Sequence, residues 1–149
     1  MSSITVSSYA LRGSNSVSRG RFALIGLATV VASVLANVVF YFLAGTVVDY
    51  HPDFPPLANA SGTNFFTTFF AIGAVLVYAG LRRWTRNPAR NFTIVSAVVL
   101  ALSIIPDLTI IPPSEGASNG QTTVLILQHV VAATVIVWML TNLTRSRAR

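Results

Sequence analysis

Two ionisable side chains lie inside otherwise apolar stretches of this chain. They are His129, in Gln128-His129-Val130-Val131-Ala132, and Asp107, in Ile104-Ile105-Pro106-Asp107-Leu108. Ionisable groups are costly to keep in strongly apolar segments, so they mark functional sites by default. A His–Asp pair has well-defined chemistry: the carboxylate selects the imidazole tautomer, and together they can relay a proton or hold a polar headgroup. Asn37, Thr67 and Gln128 add hydrogen-bonding groups within the same kind of apolar run. Counted from the segment ends, Asn37, Thr67, Asp107 and His129 fall at a similar level in four successive segments, slightly to one side of the middle. They would form a shared polar layer of ligand or proton candidates, with His129 the deepest. The competing use is structural, because polar groups between apolar helices act as hydrogen-bond glue worth about 0.6 kcal/mol each.

Other chemistries are excluded or weakly supported. The chain has no cysteine, which removes disulfides, thiolate metal sites and thiol catalysis. Every basic residue is arginine, so no lysine can form a Schiff base. Asp49-Tyr50-His51-Pro52-Asp53 offers three oxygen and nitrogen ligands at alternate positions, the minimum for a divalent cation. That spacing is common by chance and a proline interrupts it, so the segment reads as a solvated loop and no metal is expected. Haem would need better axial ligation than one buried histidine. Ser33, Ser96 and Ser103 lack a nucleophile motif and read as packing residues. No glycine-rich phosphate loop or paired catalytic carboxylates occur. No catalytic residue and no cofactor is assigned.

The elements that would position these groups follow from composition. The 149 residues are 53% hydrophobic and only 9% charged, whereas a soluble domain carries about a quarter charged residues. Four apolar runs are long enough to cross a hydrocarbon core of about 30 Å at 1.5 Å per helical residue. They cover residues 22–43, 64–81, 88–107 and 122–143. The third holds together only if the helix continues through Pro106-Asp107, since the strictly apolar part, 92–105, is too short alone. Its apolar residues contribute about −0.3 to −0.6 kcal/mol each and outweigh one aspartate at about +3 kcal/mol. Gly26, Thr29, Ser33, Ala36 and Asn37 form a small and polar stripe on the first run. Thr63, Thr67, Ala71, Ala74 and Tyr78 form one on the second, and Thr93, Ser96, Ser103 and Asp107 one on the third. Small residues mark the faces where helices approach each other in lipid. Phe65, Phe66, Phe69 and Phe70 suit an outer interface, Trp84 an inner anchor, and Ser61 or Thr63 an N-cap. Asn87-Pro88 reads as a cap followed by the first helical residue.

Charge sets the orientation. Arg82, Arg83, Arg86 and Arg90 crowd the loop between runs two and three; Arg12, Arg19 and Arg21 precede run one, and Arg145, Arg147 and Arg149 follow run four. The other two loops, 44–62 and 112–120, contain no arginine and hold Asp49, Asp53 and Glu115. Arginine-rich short loops stay cytoplasmic. The expected fold is all-α: an up-down bundle of four transmembrane helices, both termini cytoplasmic, in the plasma membrane. Residues 1–21 form a disordered tail, 22–144 the transmembrane domain, and 145–149 a basic tail. A cleavable signal peptide is disfavoured, because the uncharged run from Phe22 to Val48 far exceeds the usual apolar core of about 7–15 residues. The net charge of +6 is a topology signal rather than a nucleic-acid footprint, and membrane lipids with anionic headgroups are the expected partners.

Arg90-Asn91-Phe92-Thr93, Ser103 with Pro106, His129 followed by Ala132-Ala133, and Asn37 resemble a family of uncharacterised small four-span bacterial membrane proteins, mainly actinobacterial. The resemblance covers most of the chain from Phe22. It implies a four-span bundle in a bacterial plasma membrane and no particular activity. The leading functional expectation is a non-enzymatic membrane subunit, scaffold or lipid- or small-ligand-binding module, with a homo-oligomer or another membrane protein as possible partner. The alternative is a small-solute or proton carrier using the polar layer, and an intramembrane enzyme acting on a lipid-like substrate is the least supported.

Overall fold

Each apolar run is a helix, and the residues just before it explain where it starts. A computed structural model describes residues 17–111 and 116–145. Residues 1–16 of the expected N-terminal tail, Pro112, Pro113 and Glu115 of the second loop, and Arg147 and Arg149 lie outside that range. Helix α1 spans Arg19–Ala44, α2 Ala60–Trp84, α3 Pro88–Thr109 and α4 Asn119–Leu143. The side chains of Ser18, Asn59 and Ser118 accept hydrogen bonds from the first free backbone N–H groups of α1, α2 and α4. The cap of α2 is therefore Asn59, ahead of the Ser61 or Thr63 expected. Asn87 precedes α3 without a side-chain cap bond, and Pro88 opens the helix where its missing donor costs nothing. α3 runs through Pro106 and ends two residues past Asp107, and the freed turn closes as the Ile110 and Ile111 N–H groups both reach the Pro106 carbonyl.

All four helices are long and apolar enough to cross a membrane. The shortest, α3 with 22 residues, extends about 33 Å. Their polarity is arranged inside out. α1 buries Gly26, Thr29, Ser33, Asn37 and Tyr41 while exposing Leu24, Leu27, Val31, Leu35 and Val39. α2 buries Thr63, Thr67, Ala71 and Tyr78 while exposing Phe65, Phe66, Phe69 and Phe70. The stripe expected on α3 is only partly inward: Asp107 is buried, Ser96 and Ser103 are half-buried and Thr93 is exposed. The reason lies in the packing. α1 packs along both α2 and α4, and α3 leans mainly on α4 with a lighter contact to α2. α2 touches α4 across one diagonal, whereas α1 and α3 do not touch. A helix on the rim of the bundle has only a narrow face to bury. Close approach is purchased by glycine at the α1–α2 seam, where a Cβ on Gly26 would come within 2.8 Å of Val75 Cγ1.

Two apolar clusters close the bundle. At the end bearing Arg82–Arg90 (the arginine end), Ala71, Tyr78, Phe92, Ile136 and Leu140 pack together. At the opposite end (the loop end), Tyr41, Phe54, Leu57, Val124 and Leu125 do so. Phe54 and Leu57 come from the α1–α2 connection, which is folded into the bundle mouth. The Phe54 N–H donates to the His51 carbonyl at 3.0 Å, and the Leu57 and Ala58 N–H groups donate to the Phe54 carbonyl at 3.1 and 2.9 Å. The Tyr41 hydroxyl donates to the Leu57 carbonyl at 2.9 Å, and that of Tyr50 to the Tyr41 carbonyl at 2.7 Å. Asp49, His51 and Asp53 are thereby held on the outside of a plug whose inner surface is aromatic.

Candidate functional site

The loop-end half of the bundle holds all five polar candidates, and the structure sorts them into groups. Asn37 of α1 donates through Nδ2 to Thr67 Oγ1 of α2 at 2.9 Å, and both residues are buried. His129 of α4 brings Nδ1 to 3.2 Å from Asp107 Oδ2 of α3. Gln128 is buried, pointing about 100° away from His129 because the two are neighbours on one helix. Among the described residues, no hydrogen bond joins the Asn37–Thr67 pair to the His129–Asp107 pair. The shared layer is therefore two interhelical couples with Gln128 between helices.

The imidazole geometry adds a second acceptor to the expected pair. His129 Nδ1 lies 2.8 Å from the Leu125 carbonyl, one turn back on its own helix. A carbonyl only accepts, so Nδ1 carries the hydrogen and directs it there. The Leu125 carbonyl and Asp107 Oδ2 face the same ring nitrogen, and both favour the tautomer with hydrogen on Nδ1. Asp107 Oδ2 is close enough for ionic attraction, yet it is buried without a hydrogen-bond partner. Nε2, the other ring nitrogen, is bonded by no described residue. His129 lies ten residues inside α4 and Asp107 two residues from the end of α3, while the His129 side chain is 38% exposed and that of Asp107 only 9%.

Asp107 sits at the loop end of α3. It is buried, it lies on an apolar helix, and it occupies the last turn, where the helix dipole is negative and no basic residue follows. It shares this unsettled state with polar atoms from the other helices. Asn37 Oδ1 of α1, Thr63 Oγ1 and Asn64 Oδ1 of α2, and Gln128 Nε2 of α4 are also buried without partners. An unmade hydrogen bond at a buried group costs about 1–3 kcal/mol.

The sequence family can be placed against this geometry. The family of unknown function DUF6069 matches residues 17–146. The chain belongs to this family. No curated protein and no solved structure matches the chain. The DUF6069 match runs from two residues before α1 to three residues past α4, so it takes in all four helices and both polar couples. It supports the resemblance to an uncharacterised family and carries no activity with it.

Sequence reasoning missed two contributors in this DUF6069 member. Gln121, in the first turn of α4, is buried and ties the two loops together. Its Oε1 accepts from the His51 N–H at 3.3 Å and its Nε2 donates to the Gly116 carbonyl at 2.7 Å. Gly116 has φ of +73°, and a Cβ there would come within 2.9 Å of His51 Nδ1, so only glycine fits between the loops. A polar residue beside a cap motif gives no sign that it bridges to a distant loop. Thr63 fits both a packing face and an N-cap by sequence, and neither place signals that its buried hydroxyl lacks a hydrogen-bond partner. The ligand spacing around His51 gathers little: His51 Nδ1 is 3.7 Å from Asp53 Oδ2, and no group of three metal-binding side chains occurs among the described residues. Arg82, Arg83, Arg86 and Arg90 all fall at the arginine end, away from the polar couples.

Proposed function

We propose that this chain is a non-enzymatic multi-pass protein of the bacterial plasma membrane that binds a small polar ligand in the loop-end half of its bundle. The reading places the arginine end and both termini in the cytoplasm. The inside-out polarity of the helices supports insertion, because apolar exposure on this scale suits lipid and not water. The arginine asymmetry supports the orientation.

One observation carries the ligand reading. Each of the four helices contributes a buried polar atom with no hydrogen-bond partner: Asn37 Oδ1, Thr63 Oγ1, Asp107 Oδ2 and Gln128 Nε2. All four residues lie within about 14 Å of the loop-end termini of their helices, counted at 1.5 Å per residue. Acceptors dominate this set, and His129 Nε2 adds a polar atom that no described residue bonds. The fitting ligand is rich in donors, with a hydroxyl or ammonium group for the carboxylate and imidazole and one acceptor for the Gln128 amide. The glue reading has its own support in the Asn37–Thr67 hydrogen bond, which needs no ligand.

Native mass spectrometry of the protein released from its own membrane separates the two readings and also reads oligomeric state. The wild-type chain is expected to carry a small bound mass that is lost in Gln128→Leu and in Asn37→Leu, with unfolding in detergent measured alongside to show that each variant is folded. A wild-type spectrum without such a mass, or leucine variants that keep it, would leave the polar atoms as structural features only.

A further inference from the structure

At the arginine end a second concavity opens between the inner termini of α2, α3 and α4. It has a volume of about 500 Å³, within the range of small-molecule sites. Arg82, Arg86, Arg90 and Arg145 line it, with Asn87 and the first turn of α3 on one side. Tyr78, Thr141 and Thr144 line it from α2 and the end of α4, and these three are buried. They are also fixed: the Tyr78 and Thr144 hydroxyls are 2.8 Å apart, and Thr144 and Thr141 donate back to the Leu140 and Val137 carbonyls.

The charge around this cleft is uncompensated. Among the described residues, both ion pairs involve histidine, and neither involves an arginine. Asp49, Asp53 and Asp107 all lie toward the opposite end of the bundle. Arg82 is held in place from the α1 side, its guanidinium 4.7 Å above the Phe22 ring and its Nη2 donating to the Val17 carbonyl at 3.5 Å. A solvated topology signal would only need arginines somewhere on this face. Here four of them, Arg82 from the last turn of α2, Arg86 from the α2–α3 turn, Arg90 from the first turn of α3 and Arg145 just past α4, line one hollow.

We propose that this cleft binds a phosphate-bearing anion, with Arg86, Arg90 and Arg145 gripping the phosphate beside the anchored Arg82. Planar guanidinium groups match phosphate oxygens in bidentate fashion, which ammonium groups cannot do. The first turn of α3 adds backbone N–H groups and the positive end of a helix dipole on the same wall. The phosphate can belong to an anionic lipid headgroup, entering sideways between α2 and α3, or to a soluble phosphate compound arriving from the aqueous side. The site is distinct from the loop-end polar couples and does not depend on their having a ligand.

The test uses the full chain in phosphatidylcholine nanodiscs, with two probes. One is phosphatidic acid doped into the disc and read by native mass spectrometry; the other is soluble pyrophosphate read by calorimetry. Wild type is expected to bind at least one probe, and the responding probe identifies the source. Triple variant R86Q/R90Q/R145Q is expected to bind at least about tenfold more weakly, as loss of several charge-assisted hydrogen bonds implies. Control triple R19Q/R21Q/R83Q removes the same charge outside the cleft and is expected to stay within about twofold of wild type. Should the glutamine triple fail to insert, R86K/R90K/R145K keeps charge and topology but loses the planar fork, and several-fold weaker binding is expected. Absence of wild-type binding to both probes overturns the proposal. So do equal losses in the cleft and control triples, or lysine substitutions without effect.

Discussion

Replacing Phe54 with alanine is expected to destabilise the protein by about 3–5 kcal/mol, the range for truncating a fully buried aromatic. Phe54 is in a connection, where such a cost would be surprising, but it has no exposed surface and packs with Tyr41, Leu57, Val124 and Leu125. Its backbone organises the turn as well, since its carbonyl accepts from both Leu57 and Ala58. Losing the ring removes the centre of the plug, and the Tyr41–Leu57 and His51–Gln121 contacts around it weaken together. Phe65→Ala is the matched control. Phe65 is on the outward face of α2 and 68% exposed, so its truncation is expected to shift stability by no more than about 0.5 kcal/mol. Reversible unfolding in detergent measures both, and similar costs for the two would mean that the loop is not a plug.

His129→Leu is expected to cost about 3 kcal/mol, the low end for breaking a buried ion pair because the ring is partly exposed. The loss falls on Asp107, which stays buried with neither a charge partner nor a hydrogen bond. Adding Asp107→Leu should reverse the sign. The double variant replaces both polar groups with apolar ones in apolar surroundings, and exchanges of this kind are neutral or stabilising by about 1–4 kcal/mol. His129 Nδ1 is satisfied by Leu125 in any case, so Asp107→Leu alone should also be tolerated. The same unfolding measurement decides. A double variant no better than His129→Leu would show that the pair is structural cement and not a costly group kept for ligand binding.

The helices were legible because their signal is dense. Long apolar runs, the Asn87-Pro88 start and the small-residue stripes on α1 and α2 are local features, and packing had only to respect them. The inward face of α3 was less legible, since whether Thr93 meets a neighbour depends on α3 occupying the rim of the bundle. At the site, sequence level brought the right residues near each other but not their bonds. Asn37 could be placed beside Thr67 by counting along two helices. That the Leu125 carbonyl accepts from His129 Nδ1 beside Asp107 depends on a side-chain rotation that no spacing encodes. The plug was read as a solvated loop because Asp49, His51 and Asp53 dominate its composition, while the burial of Phe54 and Leu57 arises from contact with α4, far along the chain. The arginine cleft was visible only as charge. Arg145 joins Arg82, Arg86 and Arg90 because α4 ends beside the α2–α3 turn, a fact of topology.

The absence of cysteine makes the central claim directly measurable. Single substitutions Asp53→Cys, in the exposed surface of the plug, and Asn87→Cys, in the arginine turn, each supply the sole thiol of the chain. In intact cells, a membrane-impermeant maleimide is expected to label Asp53→Cys and leave Asn87→Cys unreacted until the membrane is broken. Labelling of Asn87→Cys from outside with Asp53→Cys protected, or recovery of the chain in a detergent-free soluble fraction, would contradict the account.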